Sequence, residues 1–145
     1  MINQKINKIL AMTLITNKKA HFDYQIVEEF RAGLALSGKM VKLIRAKKIV
    51  LNGKFVVFQK DQLQILGLGT ENYSENIPLL VKQKELQKIK ENLQKQGLTC
   101  IILNFHTSGR WLKAQIGIAK GKKNYDKRKV LKDRDLERES RRGLN

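Results

Sequence analysis

The sequence predicts a β-rich α+β protein: a small closed barrel of the oligonucleotide-binding type, with two or three flanking helices and a disordered basic C-terminal tail. Short runs of β-branched and aromatic residues separated by turn signals predict the strands. Two amphipathic segments predict the helices. We assign residues 1–15 to an N-terminal extension that forms a turn or two of helix, 16–119 to the barrel and 120–145 to the tail.

The barrel begins with an apolar, β-favouring run over residues 23–36, which predicts the first strand. Ala32 and Gly33 interrupt that run, and a glycine inside a strand often marks a bulge or a sharp bend. Residues 38–46 then carry apolar positions at helical spacing and predict a short helix.

The middle of the barrel reads as a series of short strands. Residues 49–51 and 55–58 predict two strands around a tight turn at Asn52–Gly53. Lys60–Asp61 predicts a further turn, which leads into a strand over residues 63–67.

The last part of the barrel reads as a loop, a helix and a hairpin. Residues 70–76 are mostly polar and predict the loop. An apolar stripe over residues 83–96 predicts the helix, and Gly97 is placed to end it. Residues 98–105 and 111–118 alternate in hydrophobicity and predict a hairpin with one buried face.

The tail differs in composition from the rest of the chain. Residues 119–145 contain eleven basic and five acidic side chains and few aliphatic ones, so we expect the free tail to be disordered. No Gly or Pro lies between Lys122 and Arg142, so the tail can become helical on a partner.

Charge defines the class of partner. Thirty Lys and Arg against thirteen Asp and Glu give a net charge of +17, which predicts a polyanionic partner: nucleic acid, an anionic membrane surface or acidic proteins. No stretch approaches the roughly 20 apolar residues that span a bilayer. Residues 9–15 make a poor signal peptide, because no suitable cleavage site follows. An organelle transit peptide stays an alternative, because no acid precedes Asp23, although such peptides are usually rich in arginine and the first arginine is Arg31.

Catalytic and metal-binding residues are sparse. Cys100 lies in an apolar run and predicts a buried thiol in a reducing cytoplasm. His21 and His106 have no metal-ligand spacing, and they form an acid–base pair only if the fold brings them together. We therefore predict a protein that is not an enzyme and has no cofactor or metal.

Most aromatic residues of the predicted barrel are assigned to packing. They are Tyr24, Phe30, Phe55, Phe58 and Trp111. Tyr125 stands alone in the basic tail, where base stacking is the better interpretation.

Four strings of residues, in this order, resemble the small protein B family. They are Asn17-Lys18-Lys19-Ala20-His21-Phe22-Asp23-Tyr24, the Ala32-Gly33-Leu34-Ala35-Leu36-Ser37-Gly38 segment with Val41-Lys42 and Arg45-Ala46, Leu79-Leu80-Val81-Lys82-Gln83-Lys84-Glu85-Leu86, and Ala119-Lys120-Gly121-Lys122-Lys123-Asn124-Tyr125-Asp126-Lys127-Arg128.

The resemblance implies a cytoplasmic, monomeric RNA-binding protein of trans-translation. Its barrel binds the tRNA-like domain of transfer-messenger RNA, the pair enters a stalled ribosome with elongation factor Tu, and the tail becomes helical in the empty mRNA channel near the decoding site. Candidate RNA-binding residues of the barrel are Lys18, Lys19, His21, Arg45, Leu80, Lys82 and Lys84. Candidate ribosome-binding residues of the tail are Lys120, Gly121, Lys122, Lys123, Tyr125, Asp126, Lys127 and Arg128.

Some positions depart from the family pattern. Arg31 and Met40 stand where the family has glutamate, and Lys82 where it has Asn or His, which predicts tighter, less selective phosphate contact. Lys88 and Lys90 are assigned to the solvated side of a helix. The alternative function is a generic single-stranded nucleic-acid-binding or ribosome-associated barrel protein.

Overall fold

The computed structural model describes residues 11–122, 128 and 131–138. Within residues 11–122 the elements, in chain order, are β1 (Ala11–Thr16), α1 (Ala20–Asp23), β2 (Tyr24–Leu34), α2 (Gly38–Arg45), β3 (Phe55–Gln59), β4 (Gln62–Thr70), β5 (Tyr73–Leu80), α3 (Gln83–Leu93), β6 (Leu98–Ser108) and β7 (Trp111–Gly121). Residues 131–138 form a further helix. The predicted β-rich α+β class is confirmed.

All the strand pairs are antiparallel, and six strands form a closed ring. The order is β1-β6-β3-β4-β5-β2-β7, and a pairing of β6 with β7 closes the ring while β1 extends β6 outside it. Two of the pairings are short: β3 meets β6 at two residues, and β2 meets β5 only at Gly33 and Leu34. The result is a barrel-like ring in which two of the strand pairings are short.

The core fills the ring because alternate residues of each strand point inward. On β7 the inward residues are Leu112, Ala114, Ile116 and Ile118, the same set that the alternation predicts, and all are buried. Helix α2 packs on this core through Met40 and Ile44, which are fully buried. The Ser37 hydroxyl caps α2 by accepting a hydrogen bond from the Met40 backbone N–H at 3.2 Å.

Helix α3 covers part of the ring through the fully buried Ile89. It ends at Leu93, three residues earlier than predicted, and Gly97 has a φ of +83° in the connection to β6. Lys88 and Lys90 are exposed, as their assignment to the solvated side of the helix predicts.

The described part of the N-terminal segment, from residue 11, is a strand rather than a turn of helix. Residues Ala11–Thr16 form β1, which pairs with β6 from Ala11–Ser108 to Thr16–Asn104. For residues 11–15 the helical interpretation was wrong, because the free edge of β6 supplies backbone partners that the local sequence does not reveal. The rest of that prediction, residues 1–10, lies outside the described residues.

Two other local predictions were wrong. Residues 49–51 are not a strand, although Ile49 and Leu51 are buried. The predicted turn at Asn52–Gly53 is present, with a hydrogen bond from the Lys54 backbone N–H to the Leu51 carbonyl at 3.2 Å, but it does not join two strands. The predicted turn at Lys60–Asp61 is confirmed, and both residues have positive φ. The predicted loop over 70–76 is mostly strand, because the chain turns at residues 71–72 and β5 starts at Tyr73.

The polar residues of β5 are accommodated by hydrogen bonds. The Glu75 carboxylate accepts one from the Ser37 hydroxyl at 2.5 Å and one from the Tyr73 hydroxyl at 2.6 Å. These two bonds keep the pKa of the Glu75 carboxyl below its usual range. A polar segment can therefore be a strand here because tertiary partners satisfy its side chains.

The predicted interruption at Ala32 and Gly33 is also wrong. Strand β2 runs straight through both residues, and its irregularity lies between Ile26 and Glu28. Gly33 instead marks the point where β2 has a partner on each side, Lys113 of β7 and Leu80 of β5.

Candidate nucleic-acid interface

The outer surface of five neighbouring strands carries a row of residues that includes polar and basic side chains. Strand register joins Thr13 to His106, His106 to Lys113, Lys113 to Gly33 and Gly33 to Leu80. Residues opposite each other in antiparallel strands share a face, so these side chains are neighbours on the outside of the barrel.

A second row runs beside the first. Asn104 pairs with Gln115, and Gln115 pairs with Arg31. We call the surface formed by Arg31, Leu80, Lys82, Lys113 and Gln115 the platform. It combines cations from β2, β7 and the start of α3, which lie far apart in the chain.

The platform holds a cleft lined in part by Arg31, Leu80, Lys82 and Lys113. Leu80 is 61% exposed, and it lies over Gly33, where an added Cβ would be 3.4 Å from the Leu80 Cβ. Strand β5 ends at Leu80 and α3 begins at Gln83, so Lys82 lies in the short connection between them, at the edge of the cleft. An exposed aliphatic side chain between cations suits a ribose or base with phosphates on either side.

His106 lies beneath the surface beside this cleft, and we call its position the floor of the platform. It is 6% exposed, and its Nδ1 lies 2.9 Å from the Asn104 Oδ1. Burial lowers the pKa of His106, and the Arg31 and Lys113 cations lower it further. The ring is therefore neutral at pH 7, so the positive charge of the platform comes from its Lys and Arg residues.

A second basic region lies around α1. Lys18, Lys19 and His21 are exposed there. The Lys122 Nζ donates a hydrogen bond to the His21 carbonyl at 2.7 Å, and the Lys122 backbone N–H donates to the Asp23 carbonyl at 2.9 Å. We call these four residues the tail-side cluster, because the tail begins there.

His21 and Lys122 lie at one end of the β2–β7 pair, and Lys113 of the platform lies at the other. Tyr24 pairs with Gly121 at the tail-side end, and Gly33 pairs with Lys113 at the platform end. Nine residues of strand span about 30 Å. His21 and His106 also fall at opposite ends of β7, so they cannot form an acid–base pair.

The other predicted site residues are distributed as follows. Arg45 is exposed at the end of α2, where it borders a separate cleft with Arg110 and Trp111. Lys84 is exposed on the first turn of α3 and is not among the residues that line the platform cleft.

The predicted tail residues fall partly within the described part of the chain. Lys120 and Gly121 complete β7. Arg128 is helical and exposed. Lys123, Tyr125, Asp126 and Lys127 lie outside the described residues.

Two predictions about side chains near the site were wrong. Met40 is fully buried, so its replacement of an acid changes the core and not an RNA-binding face. Trp111 is 74% exposed, so it is not a packing residue. Phe55 is 40% exposed but meets the Tyr24 ring edge-on, with the ring centroids 6.4 Å apart.

Sequence reasoning missed Lys113, Gln115 and His106 as site residues. The alternation on β7 already placed Lys113 and Gln115 on the polar face. It could not show that Arg31 and Leu80 lie next to them.

The described part of the chain offers neither a group of metal-binding side chains nor a helix that could cross a membrane. Its His, Cys, Asp and Glu side chains form no group of three suited to a metal ion. None of its helices is both long and apolar enough to cross a bilayer. Cys100 is buried, and burial raises the pKa of its thiol to about 12, so it is unreactive at neutral pH.

Known proteins with similar sequences and folds point to one family. The family model described as SmpB protein matches residues 14–145. An SsrA-binding protein of Borreliella afzelii is 40% identical over 87% of this chain and 91% of its own length. One of Gloeobacter violaceus is 36% identical over 99% of each chain.

A solved structure is similar as well. A chain from "tmRNA-SmpB: a journey to the center of the bacterial ribosome" superposes with a TM-score of 0.62 and 30% identity, over 78% of this chain and 87% of that one. The match to the family model covers most of the barrel and the tail. The chain therefore belongs to the SmpB protein family.

Proposed function

We propose that this protein binds transfer-messenger RNA and delivers it to stalled ribosomes in trans-translation. Family membership and the likeness to a tmRNA-SmpB structure support the proposal. The observation that carries it is the platform, where Arg31, Lys82 and Lys113 from separate elements line one cleft with the exposed Leu80 and a single acid, Glu85.

The platform suits the tRNA-like domain of that RNA. Its cations neutralise backbone phosphates, which supplies affinity without regard to sequence. Leu80 contacts a ribose or base, and the half-buried Gln115 offers a polar group on the same surface. Structured RNA is recognised mainly by shape, phosphates and splayed bases, and a fixed cleft between cations provides that shape.

The tail-side cluster suits a different partner. His21 and Lys122 lie about 30 Å along the β2–β7 pair from Lys113. Lys18 and Lys19 precede His21 in the turn before α1. We assign this end to ribosomal RNA near the decoding site, so that one face of the barrel holds the delivered RNA and the other meets the ribosome.

The tail extends this ribosomal contact. Residues 131–138 form a helix in which every side chain is exposed, so this helix has no core of its own to bury. We assign it to the empty mRNA channel. Lys127 and Arg128 anchor the tail on phosphates, Tyr125 stacks on a base, and Asp126 caps the helix or pairs with a neighbouring lysine.

The remaining expectations follow from the same role. The protein acts as a monomer in the cytoplasm, and it enters the ribosome together with elongation factor Tu and the aminoacylated RNA. It supplies shape and charge rather than catalysis.

The test is which RNA copurifies with the tagged full-length protein. We expect transfer-messenger RNA to be enriched over transfer RNA and messenger RNA, and the isolated tRNA-like domain to compete for binding. Enrichment of bulk messenger or ribosomal RNA alone would overturn the proposal in favour of a generic nucleic-acid-binding protein.

A further inference from the structure

The structure assigns Trp111 to base stacking: we infer that it binds an unpaired nucleobase of the same RNA that occupies the platform. Trp111 begins β7 and is 74% exposed, the largest exposed fraction among the large apolar side chains of the described residues. The inference rests on the proposed function and adds a residue that determines how the RNA is positioned.

Strand register makes Trp111 continuous with the platform. Along β7, Trp111, Lys113 and Gln115 alternate with the buried Leu112 and Ala114. Side chains two apart on a strand share a face. Trp111 therefore lies on the same face of β7 as Lys113, two residues closer to the tip of the β6–β7 hairpin.

A second cleft brings Trp111 together with arginines. It lies between the hairpin tip and α2 and is lined by Trp111, Arg110 and Arg45 together with the apolar Leu34, Leu36, Val41 and Leu112. Arg110 lies in the hairpin turn and Arg45 in the last turn of α2. The exposed indole therefore shares one cleft with two arginines, and Lys113 is two residues away on the same face of β7.

This combination identifies the occupant as RNA. A single exposed apolar residue is ordinary on a protein surface, but an aromatic ring that shares a cleft with arginines provides both contacts that an unpaired nucleotide needs. The indole stacks on the base, and the guanidinium groups contact the flanking phosphates. The net charge of +17 favours a polyanion over an apolar protein partner.

The sequence contains a single tryptophan, so its fluorescence reports on this site alone. The experiment titrates the full-length protein with the tRNA-like domain of transfer-messenger RNA while recording tryptophan emission, its quenching by iodide and, separately, binding on filters. We expect emission to be quenched and the indole to become shielded from iodide over the same concentration range as filter binding.

Three variants complete the experiment. Trp111→Ala should lower affinity by about tenfold, as expected for loss of one stacked base. Trp111→Phe keeps a flat ring and should stay within about threefold of the wild type. Val50→Ala removes an apolar side chain that is 63% exposed in a loop outside the platform and should leave affinity unchanged.

The outcomes separate this inference from the proposed function. Filter binding with unchanged emission and full affinity of Trp111→Ala overturns the stacking role and leaves the proposed function intact. Emission that is already shielded from iodide in the free protein also overturns it, since the indole would then be covered. Failure of the wild type to bind the RNA on filters overturns both.

Discussion

The platform and the tail-side cluster are both basic, yet they are built differently. The platform is formed by side chains of several strands, with the exposed Leu80 and the half-buried Gln115 among its cations. The tail-side cluster is formed by a turn and the short helix α1, and Lys122 is attached there through main-chain carbonyls. A rigid surface of mixed chemistry can recognise one RNA shape, whereas a cluster of exposed lysines provides attraction to any phosphate.

The strongest test of this difference removes the tail. A chain that stops after Lys123 should keep its affinity for transfer-messenger RNA within about twofold, because both platform rows remain. Peptide tagging on stalled ribosomes should fall to background. Filter binding and a reconstituted tagging assay, performed on the same preparations, measure the two effects.

The control for truncation is the state of the remaining barrel. Circular dichroism should show the same β-rich spectrum and thermal midpoint for the shortened chain as for the full one. A well-folded shortened chain that loses RNA affinity tenfold would contradict the division between the two ends.

Charge reversal at the platform should have the next largest effect. Lys82→Glu combined with Lys113→Glu should weaken RNA binding by at least about 100-fold, since each of the two lost charge-assisted contacts contributes about 1.5–3 kcal/mol. Lys18→Glu combined with Lys19→Glu makes the same charge change at the tail-side cluster. It should alter RNA affinity by no more than about threefold at moderate salt but impair tagging.

Lys84 offers a closer comparison within the platform region. Lys84→Glu changes the same charge two residues from Lys82, at a position outside the cleft. We expect it to cost much less affinity than Lys82→Glu in filter binding. Equal losses would mean that the region acts as diffuse positive charge without a defined cleft.

Leu80 separates apolar contact from charge. Leu80→Ala should lower RNA affinity by about fivefold through lost apolar burial, with the salt dependence of binding unchanged. Lys82→Gln should instead reduce the slope of log affinity against log salt by about 0.9. Binding measured over a range of salt concentrations distinguishes the two, and a changed slope for Leu80→Ala would count against its apolar role.

The smallest expected effect is on the pH dependence of stability, and it comes from His106 at the floor of the platform. Burial and the Arg31 and Lys113 cations hold the pKa of His106 below its ordinary value. Between the ordinary and the folded pKa, the unfolded chain binds a proton that the folded protein does not, so stability decreases as pH falls below about 6.5. Replacing His106 with Gln should flatten this part of the curve of unfolding free energy against pH, measured by urea denaturation.

Much of the fold could be predicted because its signals are local. Alternation along β7, the apolar stripe of α3 and the turn at Lys60–Asp61 each lie within one segment, and each matches the structure. Where a tertiary partner decides the conformation, local reasoning failed. Residues Ala11–Thr16 are a strand because β6 offers an edge, and Glu75 lies in a strand because Ser37 and Tyr73 satisfy its carboxylate.

The candidate site divides in the same way. By itself the sequence determined the β-rich class, the excess of positive charge and the motifs that resemble the family, since composition and local order are properties of the chain alone. Only the tertiary structure decided that Arg31, Leu80 and Lys113 share one surface, that His21 and Lys122 lie at the opposite end of the β2–β7 pair, and that Trp111 is exposed. Alternation tells which face of a strand a residue occupies, but strand pairing and register determine its neighbours, and these are settled by packing between segments far apart in the sequence.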